Sequence, residues 1–510
     1  MLTRDNARNQ PEKPALIVAE TGAVITCAQL ESRANRAAHA LRNLGLAAGS
    51  RVAIMCDNQP EFIDLYWATN RAGLSLVPLA TRLTAGEVAA ILADCGALAL
   101  LVGEPYAAIG AAVVARPELQ ATLRHVVVIG RGHGLTEWPV LVAGQPDSPI
   151  ADETPGGMMF YSSGTTGKPK GIFRPPPTPE QAAKPSVMPL GELFRLNGQT
   201  VYLCPAPLYH ASPISFSTSI QAMGGTTVLM RKFDAEAFLA AVERFGVTAT
   251  MMVPTMFVRL LKLPDAVRLR YDVSSLNSVV HAAAPCPVGV KRAMIEWLGP
   301  IVEEFYGGSE GNGMVVISSA EWLRKPGSVG RAAVGKLHIC DEDGNELPAG
   351  QVGTVYFSGG PSFGYHNDPE RTAAAYNPLH PAMSTLGDIG HLDEDGYLFL
   401  SDRRNFMIIS GGVNIYPQEV ENLLIEHPKV ADLAVFGIPN ADMGEEVKAV
   451  VQPIDWSEAG PELERELIDW CRERLAHHKC PRSVDFDQAL PRADNGKLYK
   501  NELKRRYWPA

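Results

Sequence analysis

Eleven consecutive residues, Tyr161-Ser-Ser-Gly-Thr-Thr-Gly-Lys-Pro-Lys-Gly171, concentrate the groups that hold an anion. Ser162, Ser163, Thr165 and Thr166 supply hydroxyl donors, and Lys168 and Lys170 supply positive charge. Gly164, Gly167 and Gly171 let the backbone approach closely and aim N–H groups at a phosphate. A Walker A loop is excluded, because Pro169 follows Lys168 where that pattern needs Ser or Thr. A flexible linker explains the small residues alone, but not the paired hydroxyls and lysines behind the apolar run Met158–Tyr161, read here as a strand. The twelve histidines and eight cysteines offer no comparable chemistry: no zinc spacing and no C-x-x-C pair occurs. The thiols are expected to be free and to pack as small hydrophobes.

Further short elements follow in order: Pro207-Leu-Tyr-His210, His281-Ala-Ala-Ala-Pro285, Tyr306-Gly-Gly-Ser-Glu310, Gly387-Asp388, Asp402-Arg403, Ser410-Gly-Gly-Val-Asn-Ile-Tyr-Pro417 and Pro491-Arg-Ala-Asp-Asn-Gly-Lys497. Together with the phosphate loop they resemble the signature elements of the adenylate-forming (AMP-binding) superfamily, which includes acyl-CoA synthetases, peptide-synthetase adenylation domains and firefly luciferase. The resemblance covers nearly the whole chain and points toward fatty-acid–CoA ligases. It implies activation of a carboxylic acid by ATP with release of pyrophosphate, then transfer of the acyl group to coenzyme A, with Mg²⁺ as the metal.

Roles follow by that resemblance, residue by residue. The loop residues Ser162 to Lys168 and Lys170 would hold the phosphates, and Thr165 and Glu310 would bind Mg²⁺, an oxygen-seeking ion. Tyr306 would stack on adenine, beside Ala283, Ala284, Pro285 and Gly307. Ser309 stands where threonine is usual and keeps the hydroxyl that would reach the α-phosphate. Asp388 would accept hydrogen bonds from the ribose, supported by Arg403. Lys497 would bridge the acid's carboxylate and the nucleotide, with Lys497, Glu310 and His210 forming the catalytic set. Asn405 occupies the hinge position, where Asp or Lys is commoner, and Ser410, Gly411 and Gly412 would face the coenzyme A side. The small C-terminal domain would be a mobile lid with two orientations.

The acyl site is expected around His210, Met251, Val253, His281 and Gly308. Relatives that activate amino acids carry an aspartate just after the position of His210, and Ala211–Met223 has no acidic residue. A buried ammonium without a partner is costly, so an α-amino acid is disfavoured. Met251, Met252, Val253, Met256 and Phe257 offer either an adaptable apolar pocket or ordinary core. His281 reads either as an acyl-site residue or as a buried structural histidine. A fatty or bulky hydrophobic acid fits best, and an aryl acid is the alternative. Transfer to an amine or a carrier-protein thiol, and nucleotide binding without catalysis, are the competing functional classes.

The elements that must position these residues are legible as alternation. Cys27–Leu44 has apolar residues at helical spacing, Arg51–Cys56 is an apolar run, Pro60–Ala72 is helical again, and Leu74–Pro78 is strand-like. Leu98–Val102, His125–Ile129 and Thr248–Val253 add further strands. This predicts an α/β fold: a large N-terminal domain, 1–404, of mixed and parallel sheets sandwiched by helices, with a β-barrel-like part from about 335. An α+β lid domain follows over 405–510, with helices near Pro417–Glu426 and Leu463–Leu475. The Pro-rich stretch 173–189 reads as a surface loop. A net charge of -10 argues against general nucleic-acid binding. The polar start and the charges within Val88–Ala115 predict a cytoplasmic enzyme with no integral membrane association. The expected partners are the acid, ATP and coenzyme A, with a homodimer as the oligomeric expectation.

Overall fold

The computed structural model describes residues 2–132, 134–162, 170–174, 180, 191, 194–403, 406–411, 413–492 and 498–508, with the side chains of 2, 162, 173, 402, 403 and 414 outside the description. The chain divides into two compact units, Met1–Met252 with Leu263–Val280 and Ser362–Thr372, and Val253–Lys262 with His281–Pro361 and Ala373–Ala510. The domain boundary expected at Arg404/Asn405 lies outside the described residues.

Parallel sheets organise the first unit. One runs in the order Thr136–Glu137, His125–Ile129, Ala99–Gly103, Arg51–Met55, Ser75–Pro78 and Gly157–Met158, every pairing parallel. Such strands are covered on both faces, which is why they read as unbroken apolar runs in the sequence. A second set places Val201–Cys204 between Ala249–Met252 and Thr226–Leu229, all parallel, with Pro14–Val18 beyond. The helix Cys27–Asn43 starts at a capping box of Thr26 and Gln29 and buries Leu30, Ala34, Ala37, Ala38 and Leu41, the apolar stripe of the sequence. Ala85–Cys95 starts at a second capping box, Thr84 with Glu87, and stops at Gly96 in the left-handed region.

The expected strand Met158–Tyr161 is two strands. Gly157–Met158 is the edge of the six-stranded parallel sheet, whereas Phe160–Ser162 pairs antiparallel with Lys170–Phe173 in a separate three-stranded sheet. The chain changes sheets at Met159, whose N–H still donates to the Leu76 carbonyl at 2.9 Å. An apolar run alone does not reveal which neighbour each half will pair with.

In the second unit Lys336–Cys340, Gly353–Ser358, Ser384–Leu392 and Leu398–Arg403 form a four-stranded antiparallel sheet in that order. Val315, Val329, Leu337, Ile339, Val355, Phe357 and Leu398 pack as its core. The last hundred residues build α+β structure. The long hairpin Val430–Asn440 and Gly444–Pro453 accepts Ser483–Phe486 as a parallel neighbour. Helices Pro417–Leu424 and Pro461–Arg472 pack on one core, and Leu503 of Lys500–Lys504 joins Phe436 and Leu490 in another. Among the described residues no helix is long and apolar enough to cross a membrane.

Candidate active site

Each unit carries part of the expected constellation. In the first, Ser162 and Lys170 are register partners on antiparallel strands, so the loop 163–169, with Ser163, Gly164, Thr165, Thr166, Gly167 and Lys168, connects adjacent positions. Those loop residues themselves lie outside the described residues. The Lys170 ammonium sits 5.0 Å from the centre of the Tyr365 ring. Tyr161 donates its phenol proton to Asp94, and Asn367 donates to the Asp94 carbonyl at 3.1 Å. Burial, with the Asp94 carboxylate adding to it, pushes the Tyr161 phenol well up, so it stays a donor. Asp94 is a residue that motif reading missed, since a carboxylate near a helix end reads as solvated.

His210 is the N-cap residue of the helix Ala211–Ala222, its ring centroid 4.6 Å from that of Tyr209. That helix buries Ile214 and Phe216 together with Ser217, Thr218, Ser219 and Gln221. Met251, Met252, Val253, Met256 and Phe257 are all buried.

In the second unit Tyr306 ends the strand Val302–Tyr306 and Asp388 lies on Ser384–Leu392. The Tyr306 hydroxyl donates to Asp388 Oδ2 at 2.7 Å, across 82 residues of sequence. Phe357 stacks on Tyr306 with centroids 6.1 Å apart and planes 27° apart. That ring fits because Gly313 has no side chain: a Cβ there would stand 2.0 Å from Phe357. Gly307, Gly308, Ser309 and Glu310 form the turn after the strand, with Gly311 donating back to the Gly308 carbonyl at 3.0 Å. A Cβ at Gly308 would come within 2.7 Å of Glu310 Oε2, so the glycine leaves that carboxylate approachable. Among the described residues no three His, Cys, Asp or Glu side chains are grouped to hold a metal. Mg²⁺ commonly takes only one or two carboxylates and completes its shell with phosphate and water, so the single carboxylate of Glu310 fits such an ion.

His281 is fully buried, and neither ring nitrogen has a hydrogen-bond partner. Its Nε2 lies 3.4 Å from Glu304 Oε2 without hydrogen-bond alignment, and the Phe257 ring is edge-on at 5.2 Å. Burial, reinforced by the nearby Lys291 charge, holds the imidazole well below its usual range, so it is neutral and the contact is no ion pair. In the unfolded chain the same imidazole takes a proton near its ordinary value. Stability from this group is therefore complete above that value and is lost as the pH falls below it.

Ala283 has φ +76°, a left-handed conformation that L-residues adopt at a cost. Strain relief of about 1 kcal/mol and the added freedom of the unfolded chain, about 0.4–1 kcal/mol, nearly cancel for Ala283→Gly. The expected result is an unfolding midpoint unchanged or raised; a clear fall on thermal or chemical denaturation would contradict the strained geometry.

Near the C-terminus, Ser410 is buried, Gly411 donates to the Met443 carbonyl at 2.8 Å, and Gly412 lies outside the described residues. Asn405 and Lys497 also lie outside them, as does the side chain of Arg403, whose backbone pairs with Asp388. The residues flanking Lys497 are anchored. Arg492 binds Asp432 through Nη2 at 2.6 Å, and Lys500 pairs with Glu421 at 2.8 Å.

Comparison with known proteins matches nearly the whole chain to one family. The AMP-binding enzyme family matches residues 3–364 and the AMP-binding enzyme C-terminal domain matches 419–497. A feruloyl-CoA synthase from Amycolatopsis is 35% identical over 508 residues, covering 98% of this chain and 97% of that protein. The long-chain-fatty-acid–CoA ligase FadD13 of Mycobacterium tuberculosis is 31% identical over 517 residues, covering 99% and 98%. The solved amide bond synthetase McbA from Marinactinospora thermotolerans superposes with a TM-score of 0.82 at 27% identity, covering 99% of both chains. With both family regions matched in order along one chain, this protein belongs to the AMP-binding family of adenylate-forming acyl- and aryl-CoA ligases, and is an AMP-forming acid–thiol ligase.

Proposed function

We propose that the enzyme activates a fatty or bulky hydrophobic carboxylic acid and passes the acyl group to coenzyme A. The observation that carries the choice of acid is the helix Ala211–Ala222, which begins at His210 and contains no acidic side chain to receive an ammonium. The buried apolar run Met251, Met252, Val253, Met256 and Phe257 agrees with it. An aryl acid is the second reading, favoured by the 35% identity to a feruloyl-CoA synthase.

The reaction has two steps. A carboxylate oxygen bonds to the α-phosphorus of ATP, and the bond to the bridging oxygen of pyrophosphate breaks. The thiol of coenzyme A then loses its proton and attacks the acyl carbon, and AMP leaves with the electron pair of the acyl–oxygen bond. In this reading Lys168 and Lys170 neutralise phosphate charge, with Ser162, Ser163, Thr165 and Thr166 donating hydrogen bonds. Tyr306 and Ala283–Pro285 receive adenine, Asp388 and Arg403 the ribose, and Ser309 the α-phosphate. Glu310 and Thr165 hold Mg²⁺, which when bound offsets phosphate charge. Lys497 orients the attacking carboxylate. Asn405 is the hinge, and Ser410–Gly412 serve the thioester step.

A panel of carboxylic acids from short to long chain, with aryl and steroid acids, tests this by pyrophosphate release in ATP, Mg²⁺ and coenzyme A. Strongest turnover with hydrophobic acids, and acyl-CoA formed only when coenzyme A is supplied, is expected. Preference for amino acids, or product formed with an amine in place of coenzyme A, would overturn it. Glu310→Gln should raise the Mg²⁺ concentration needed for half-maximal activity by at least about tenfold. An unchanged metal titration would remove Glu310 from the ligand set.

A further inference from the structure

The least expected charges in the second unit are buried. Lys291, on the helix Val288–Leu298, is fully inaccessible, and its Nζ lies 2.5 Å from Glu304 Oε2 and 5.1 Å from the centre of the Trp322 ring. The same carboxylate oxygen is 3.4 Å from His281 Nε2. A buried ion pair is a poor device for stability alone, because two apolar side chains of the same size often do as well or better. What it supplies is a fixed distance and direction.

That geometry touches the elements carrying two groups of candidate nucleotide contacts. Glu304 and Tyr306 are two apart on one strand, so their side chains leave the same face. His281 ends the strand Ser278–His281 and leads directly into Ala283, Ala284 and Pro285, and Pro287 is the N-cap of the helix bearing Lys291. One carboxylate oxygen therefore meets a strand end, a helix and its own strand. Burial pushes the Glu304 carboxyl up while Lys291 pulls it back down, the balance of a charge kept in place by its partner.

We propose that Glu304 and Lys291 are positioning residues that set Tyr306 against Ala283–Pro285, so that their ion pair controls affinity for the adenosine part of the nucleotide. The inference rests on the reading of those residues as adenine contacts.

The test measures dissociation constants of the full-length protein for ATP and for inorganic tripolyphosphate, which has the phosphates without adenosine. Lys291→Met with Glu304→Met replaces the pair by apolar side chains of similar size, and Glu304→Gln keeps the shape but removes the charge. Tyr306→Ala reports on the adenine contact itself. Expected is a loss of ATP affinity of roughly tenfold in the double variant and in Glu304→Gln, as misplacement of a binding group produces. Tripolyphosphate affinity should stay within about twofold. Equal weakening of both ligands would mean that the pair only supports the fold, and overturns the proposal. Unchanged ATP affinity in the pair variants while Tyr306→Ala weakens it also overturns the proposal, leaving the adenine reading intact. Unchanged affinity in Tyr306→Ala defeats the adenine reading, and the proposal falls with it. Should the double variant not fold, Glu304→Gln decides by the same comparison.

Discussion

Lys497→Ala is expected to reduce acid-dependent pyrophosphate exchange by about 10²–10³-fold, the usual cost of removing one preorganised group that meets developing charge. The first half-reaction brings a carboxylate against a triphosphate, so repulsion between anions dominates its barrier. A cation reaching both partners lowers that barrier most where water is excluded. The second half-reaction has a neutral acyl carbon and a thiolate and does not need the same bridge. Transfer from a preformed adenylate to coenzyme A should therefore fall much less than exchange does. Single-turnover measurement of each half-reaction separates them, and equal losses would refute the assigned role.

Lys291→Met alone should destabilise the protein by about 3–5 kcal/mol, because it leaves the Glu304 charge buried without its partner. The pair Lys291→Met with Glu304→Met should recover most of that loss, since no charge then remains to desolvate. The single variant should also respond to pH in a defined direction. Burial already pushes Glu304 up, and removing the lysine removes the pull that opposes it. With its folded value above the unfolded one, the carboxyl binds a proton in the folded state first. Stability is then retained at low pH and lost as the pH rises through the folded value. Chemical denaturation at about pH 5.5 and about pH 8 measures this. A single variant as stable as the unmodified protein, or more stable at the higher pH, would contradict it.

Much of the architecture was legible because its signals are local. Cys27–Asn43 was readable from the spacing of Leu30, Ala34, Ala37, Ala38 and Leu41, all of which the helix buries. His125–Ile129 was readable as an unbroken apolar run of the kind a doubly covered parallel strand requires. Helix and strand ends shifted by a residue or two, as with Arg51–Met55, where pairing rather than composition ends the element. Tyr306, Glu310, Asp388 and Lys497 stood out because they fall in short motifs that resemble a family's signature elements.

By itself, then, the sequence determined the class of protein, the order of its motifs and most element types, since periodicity and glycine punctuation act over a few residues. Tertiary structure alone decided that Tyr306 donates to Asp388 82 residues away, that Asp94 receives Tyr161, and that the chain changes sheets at Met159. It also decided that Lys291 and Glu304 are a buried pair rather than two solvated charges, and that Ala283 sits at positive φ. The reason is common to the four that involve a partner. Each depends on which distant segment packs against the residue, and a local pattern carries no information about a partner that strand pairing and burial have yet to choose.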